Sequence, residues 1–560
     1  MRLIDWIVAL AFLAYSIQDC VRRAAGKNLE GYFAGSRAIP WWAAGLSVMA
    51  TQISAITVFA TTGQGHDIGL EFVQLYFGLP FAMVLLCTYF VPLYRRMPIL
   101  TAYEFLERRF GLGTRLLASA IFLISRSLAL GVALAAPAIV LSTITGLSPQ
   151  FAIVLTGLLT TVYTLFGGVN ATIWMDVKQM GVIVLGLLVA TGILLAEVLP
   201  ELGVGGTLRV AGAAGRLEGF ELVPQGSFFT DKYNVWSGLL GGLFLFLAYF
   251  GCDHSQVQRL LASAGARDSR KSLLISAFAK VPLQLLVLGV GVLMFVFFTL
   301  RGPPVVFDPR DQERPEVVAL QAEHAAAVTA RAAAARALAA GGSVEQANAF
   351  AAAAQRVEQV RTQARKAVHG EKAKRDTDYV FAHFILHHLP PVILGLVIAA
   401  IFAAALSSTD SVLNALAAAF VVDFYRRLLA RDASEAKLLL AGRIVTAAGG
   451  VLATLSALWL FGGESLIEKI NRVGSYFYGS LLGVFVLGLV WPRAGRIAGV
   501  AGLLGGMASV LLASVTLELE FLWFNVVGCA GVLATGIAAS WFEPQRPGPS
   551  TPPVLGSSRA

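Results

Sequence analysis

The sequence predicts an all-α membrane protein that crosses the bilayer many times around a polar interior. Three observations carry that expectation. Of 560 residues, 57% are hydrophobic and only 14% are charged, whereas a soluble domain carries about 25% charged residues. About thirteen apolar stretches approach the ~20 residues a helix needs to cross hydrocarbon. The string ALSSTDSVLN at 405–414 interrupts a run, 391–422, that otherwise suits lipid. Two adjacent hydroxyls, a carboxylate and an amide are costly at membrane depth unless they face something polar, so this span is expected to line a site.

In chain order the expected spans are 3–18, 38–61, 72–94, 115–141, 149–166, 171–199, 237–252, 273–300, 391–424, 441–460, 475–491, 500–517 and 521–542. The first has the length of a signal peptide. It lacks a small-x-small cleavage site, and Arg22, Arg23 and Lys27 follow it rather than precede it, so it reads as a retained span with an outer N-terminus. Lys and Arg cluster in alternate short loops: Arg95, Arg96, Arg108 and Arg109 after the third span, Arg259, Arg267, Arg270 and Lys271 after the seventh, Arg426, Arg427 and Arg431 after the ninth, and Arg493 and Arg496 after the eleventh. The positive-inside rule places those loops, and the C-terminus, in the cytoplasm of a cell whose plasma (inner) membrane holds the protein. The net charge of +9 is therefore a topology signal, and nucleic acid is not an expected partner. Cys20, Cys87, Cys252 and Cys529 are too scattered for a metal motif or a disulfide framework.

Two long segments face outward in this reading. Segment 200–236 is Gly-rich and is expected to be irregular. Segment 301–378 is Ala-rich with Gln, Glu and Arg, all strong helix formers, and Gly341-Gly342 divides it. It predicts two helices, 315–340 and 343–369, folded back on each other. The chain thus divides into an N-terminal extra helix with its inner loop (1–37), a first half (38–300), the Ala-rich insert (301–378), the remainder of the second half (379–494), C-terminal helices (495–542) and a Pro/Ser/Gly-rich tail (543–560) expected to be disordered.

Ser407 and Ser408 are adjacent, so they point about 100° apart on a helix and serve one ion only in a groove against a neighbour. Hydroxyls and free backbone carbonyls are the oxygen ligands a hard cation takes. Free carbonyls arise where a helix is broken. The bland alternative is that each Ser bonds back to the carbonyl four residues earlier. The second span, LSVMATQISAITVFATTGQG (46–65), is dense in small and hydroxyl residues around Gln52. In the seventh, FLFLAYFGCDHSQVQR (244–259), Gly251, Asp253 and His254 interrupt the apolar run. Breaks five spans apart and opposite in direction point to an inverted-repeat transporter with a midplane site. Small-residue packing and a simple helix end are the competing readings.

Further ionisable residues sit in apolar runs and count as functional candidates: Arg126, Lys280, Asp176 and Asp410. Lys280 has snorkelling as its alternative. Asp176 has that of a helix N-terminal acid, with Lys178 nearby as a possible counter-charge. His383, His387 and His388 form what looks like an outer-loop cluster. No nucleophile–base pair, metal cluster or phosphate loop is present in the sequence, so neither an enzyme nor a cofactor is expected.

These residues together resemble the sodium/solute symporter family, which has the LeuT-like inverted-repeat fold. The resemblance rests on FAGSRAIPWWAAGLSVMATQISA (33–55), YTLFGGVNATIWMDVKQ (163–179), CDHSQVQRLLAS (252–263), FAAALSSTDSVLNA (402–415) and YGSLLGVFVLGLVWPRA (478–494), in order and suitably spaced. It implies a 5+5 repeat with one extra N-terminal and two extra C-terminal helices. It implies sodium as coupling ion, held by the carbonyls of Ala50, Ile53 and Ala404 and the hydroxyls of Ser407 and Ser408, with Asp176 on the exit route. Tyr249 matches an inner gate, and Gln52, Thr57, Tyr76, Phe246, Lys280 and Asn471 match solute-contact positions. Thr57, Tyr76 and Phe246 are less polar than a sugar carrier has there, and Asp253-His254 stands where Asp-Gln is usual. Arg126, Lys280 and Arg472 suit an anion. The expected function is sodium-coupled import of a small organic solute (carboxylate, sugar, amino acid or vitamin-like). Proton coupling through Asp410, Asp253 or His254, and a transporter-like sensor, are the alternatives. The oligomeric state is left open.

Overall fold

In lipid every backbone polar group needs a partner within the protein, so apolar runs become helices. The computed structural model describes residues 2–24, 32, 37–97, 99–165, 168–222, 228–370, 375–460 and 466–544, and contains no strand among them. The tail beyond 544 and part of the first loop lie outside the described residues. The helices are α1 (Leu3–Ala24), α2 (Trp41–Gln52), α3 (Ala55–Ile68), α4 (Glu71–Arg95), α5 (Glu104–Phe110), α6 (Leu112–Thr145), α7 (Pro149–Leu165) and α8 (Val169–Ala213). There follow α9 (Ser237–Gly251), α10 (His254–Ala262), α11 (Ala266–Arg301), α12 (Gln321–Gly341), α13 (Val344–His369) and α14 (Thr377–His388). The chain ends with α15 (Ile393–Leu429), α16 (Glu435–Leu460), α17 (Leu466–Val490), α18 (Arg496–Thr516) and α19 (Phe521–Ser540).

Among the described residues ten helices are long and apolar enough to cross a membrane, and the bent pair α2/α3 makes an eleventh. α7 and α9 are shorter apolar helices. The most enclosed span is α15, 83% buried over its apolar window, which marks it as the centre of the bundle rather than its rim. Around it pack α8, α6, α1, α16, α2, α3 and α10. α18 and α19 pack on each other and on α17 at one edge. Large apolar side chains such as Leu158, Phe278, Trp459 and Val515 stay exposed on the periphery, as lipid-facing residues do. α3 and α11 approach backbone to backbone: a Cβ on Gly291 would lie against the Thr62 carbonyl and 2.6 Å from the Gly65 Cα. Small residues permit such contact between membrane helices.

Segment 200–236 departs from the irregular loop expected. Its first part continues α8 to Ala213, past Pro200 and a kink at Gly203 (φ 64°) that only glycine adopts easily. Gly206 sits against Ala339 of α12, so tertiary packing overrides the poor helix propensity of the GVGGT stretch. The insert itself is an antiparallel pair, α12 and α13. Ser343 starts α13 with a capping box: the Gln346 N–H donates to Ser343 Oγ at 3.2 Å and the Ser343 N–H to Gln346 Oε1 at 3.0 Å. Buried Asp376 ties the two ends of the insert to α13, accepting from Arg361 and Arg365 at 3.0 Å and from the Phe307 N–H at 2.6 Å. Arg331 of α12 donates to the Phe298 carbonyl of α11 at 2.8 Å. The histidines at 383, 387 and 388 belong to helix α14, not to a loop, and His388 packs on Phe297 with ring centroids 4.8 Å apart.

Candidate cation and solute site

Two helices are interrupted at the core. Between α2 and α3, Ile53 (φ −97°, ψ 70°) and Ser54 (φ −71°, ψ 170°) leave the helical region and the axis turns by 58°. Ser54 occupies an N-cap, where serine is favoured. The carbonyl of Ile53 thus precedes one helical ladder and follows the other. The Gln52 carbonyl, freed by the break, accepts from Thr57 Oγ1 at 3.0 Å. Between α9 and α10, Cys252 and Asp253 (φ −78°, ψ 117°) are non-helical, and Asp253 caps α10 by accepting from the Ser255 N–H at 2.8 Å. Tyrosines satisfy the carbonyls released here: Tyr94 donates to Gly251 and Tyr103 to Cys252, the latter at 3.1 Å.

Buried charges are paired across these breaks. Asp176 is fully enclosed on α8, and its two oxygens serve different helices. Oδ2 accepts from Ser47 Oγ of α2 at 2.5 Å, and Oδ1 accepts from Ser407 Oγ of α15. Arg259 of α10 closes the cluster, donating to Asp176 Oδ2 at 3.2 Å, to Ser47 Oγ at 2.9 Å, to the Ser255 carbonyl at 2.6 Å and to Ser411 Oγ. Asp410 lies alongside, its Oδ1 accepting from Ser411 Oγ at 3.2 Å. Nearby, Arg126 of α6 forms an ion pair with Asp253, and its guanidinium lies 4.9 Å from the ring centre of Tyr249 and 5.3 Å from that of Tyr478. His254 is buried with neither ring nitrogen hydrogen-bonded.

The two serines behave differently. Ser408 does bond back along its helix, donating to the Ala404 carbonyl at 3.0 Å and to Ala405 at 3.2 Å. Ser407 does not; it points at Asp176. A hydroxyl that donates its proton keeps lone pairs for a cation, so both oxygens suit sodium. Ala404 has its carbonyl engaged by Ser408, so serving an ion there requires Ser408 to turn. The donor set is all oxygen, as a hard cation needs. Among the described residues no group of three His, Cys, Asp or Glu side chains is placed to hold a metal ion.

Beside the break lies a cavity of about 120 Å³. Gln52 and Thr57 reach it from the first broken helix, Phe246 and Tyr249 from α9. Tyr76 of α4, Lys280 of α11 and Asn471 of α17 complete the seven solute and gate positions read from the sequence. Arg126 and Ser408 also line it, so the ion and solute candidates share one space. Tyr76 and Phe246 stack at 5.5 Å. Arg472 lies elsewhere, over the Phe521 ring at 6.0 Å.

Several sequence readings are corrected. Asp176 stands two turns into α8, not in its first turn, so the macrodipole does not explain it. Lys178 pairs with Asp19 at 2.7 Å and leaves Asp176 to Arg259. Lys280 is 2% exposed and does not snorkel. Arg259, counted as an inner-loop charge, is equally buried. Sequence reasoning also missed Ser47, Ser411 and Tyr478. The available signal was Asp176 itself: a carboxylate inside a membrane helix demands a cation, and Arg259 lies just beyond the second break.

Broken helices facing a buried oxygen-rich groove, inside a multi-pass helical bundle, define a membrane transporter. The sodium:solute symporter family model matches residues 32–319 and 355–506, so the chain belongs to that family, whose members are transporters and not enzymes. The match passes over 320–354, which lies within the insert. The sodium/sialic acid symporter of Proteus mirabilis is 26% identical over 93% of this chain and 91% of its own length. The sodium/iodide cotransporter of Homo sapiens is 26% identical over 87% and 65%, and the sodium/glucose cotransporter of Vibrio parahaemolyticus 26% over 86% and 79%. The solved structure of a substrate-bound, outward-open Na⁺-coupled sialic acid symporter shares the fold, with a TM-score of 0.77 and 24% identity over 97% of this chain and 99% of that one.

Proposed function

We propose that the protein imports a small organic solute together with sodium, the ion held by the carbonyls of Ala50, Ile53 and Ala404 and the hydroxyls of Ser407 and Ser408. The observation that carries this reading is the single carboxylate of Asp176 accepting from Ser47 on the first broken helix and from Ser407 on α15. A cation beside Ser407 and Ser408 draws negative charge toward itself through that bond. Arg259 shares the carboxylate, so ion occupancy alters the hold on α10. Differential sodium affinity for two arrangements of these helices shifts their populations, and solute affinity is coupled reciprocally. A membrane potential adds about 2.3 kcal/mol per charge per 100 mV. The N-terminus is outside and the C-terminus cytoplasmic in this reading, in the plasma (inner) membrane, with the insert facing out.

Uptake into proteoliposomes with sodium replaced by choline at fixed pH tests it. The proposal expects uptake of the transported solute to collapse in choline. Uptake that persists in choline and follows a pH gradient favours proton coupling, for which buried His254, with both ring nitrogens unbonded, is the candidate.

A further inference from the structure

Resting on the symport reading, the charge inventory of the cavity narrows the solute class. The ion-paired carboxylates buried among the spans each have an arginine: Asp423 has Arg115, Asp253 has Arg126 and Asp176 has Arg259. Among the described residues that line the cavity, Lys280 is a cation without such a pair. It is 2% exposed and lines the cavity, its Nζ 5.4 Å from the ring centre of Tyr76. Among the described residues no carboxylate lies within ion-pair distance of it. The wall therefore carries Arg126 and Lys280 against Asp253, one positive charge uncompensated.

The hydrogen-bonding groups lean the same way. Two buried side-chain atoms of the wall residues lack a partner, Arg126 Nη2 and Asn471 Nδ2, and both are donors. The Gln52 amide donates one of its two N–H groups to the Val48 carbonyl at 3.2 Å, and the Thr57 hydroxyl donates to the Gln52 carbonyl at 3.0 Å. Leu245, Phe246, Ile467 and Ile470 supply an apolar wall. A buried ammonium and unspent donors call for an occupant that brings one negative charge and acceptor oxygens, with an apolar remainder.

We infer that the solute is an organic monocarboxylate and that Lys280, rather than the Asp253-bound Arg126, receives its carboxylate. Lys280 is then the residue that sets solute charge, while Ser407 and Ser408 take the sodium.

The test uses the full-length protein in proteoliposomes with an inward sodium gradient. Labelled propionate, lactate, nicotinate and sialic acid are compared with propionamide, nicotinamide and glucose. At least one acid is expected to enter and its amide not. For that acid, Lys280→Gln raises KM about tenfold or more, Lys280→Arg stays within about threefold, and half-saturating sodium in solute-free ²²Na⁺ binding is unchanged. Entry of an amide or glucose in place of the acids, entry of none of the acids, or an unaltered KM in Lys280→Gln overturns the inference. Binding of ²²Na⁺ to the same vesicles separates the two levels. If it persists while the acids fail, only the solute assignment falls; if it is absent as well, the symport reading falls with it. A Lys280→Gln protein that has lost sodium binding is misfolded, and Lys280→Arg and the wild-type solute panel then decide.

Discussion

Asp176 is where the buried electrostatics of this protein converge. Taking a carboxylate and a guanidinium out of water costs several kcal/mol each, recovered only with good geometry and further hydrogen bonds. Asp176 and Arg259 have both, through Ser47, Ser407 and Ser411. Asp176→Asn strands the arginine, so it is expected to destabilise the protein by about 3–5 kcal/mol. The double variant Asp176→Asn with Arg259→Gln is expected to lose less than the sum of the two singles. Thermal unfolding of the detergent-purified set measures this; strict additivity would show the pair to be energetically independent. The sequence made the carboxylate visible and hid its partner. Counting charges along the chain assigns Arg259 to a loop, because one-dimensional reading cannot see α10 fold back under α2 and α15. That seven named positions line one cavity was legible, since family motifs fix both residue type and place. What Lys280 lacks was not legible: the absence of a counter-charge is a property of three-dimensional neighbours.

At the scale of elements, the two breaks and the close contact of α3 with α11 set what can move. Both breaks were legible, because Gln52-Ile53-Ser54 and Gly251-Cys252-Asp253 place polar or helix-ending residues inside apolar runs. The continuation of α8 to Ala213 was not legible, since Pro200, Gly203 and Gly205-Gly206 disfavour helix locally and the stabilising partner, α12, is distant in sequence. Gly291→Val pushes a branched side chain onto the backbone of α3, and overpacking of this kind costs about 1–3 kcal/mol. A lowered melting midpoint with weakened sodium response is expected, whereas Gly289→Val, with open space around its Cβ, is expected to be silent. Equal melting of the two variants would contradict the proposed contact.

At the scale of the molecule, the apolar bundle carries a helical insert with its own electrostatics. Within the insert, burial first, and then Arg361 and Arg331, push the imidazole of His324 down to about 4 from the ordinary 6.5. Burial alone would raise Asp376, but Arg361 and Arg365 hold it below the usual carboxylate value. Both groups bind protons more readily unfolded than folded, so the insert loses stability as pH falls: first between about 6.5 and 4 through His324, then lower through Asp376. Protection factors of the α12 and α13 amides, which allow for the intrinsic slowing of exchange in acid, are expected to fall between pH 7 and 4.5, and His324→Phe to blunt the change; protection factors independent of pH would refute it. The proposed transport mechanism depends on sodium sitting where the α2/α3 break meets α15. Its most direct test is equilibrium ²²Na⁺ binding to purified wild-type and Ser408→Ala protein, which needs no knowledge of the solute. The account predicts that the variant, at unchanged protein yield, needs about tenfold more sodium for half-saturation, a loss of about 1.4 kcal/mol. Sodium binding with the same half-saturation in both proteins would contradict it.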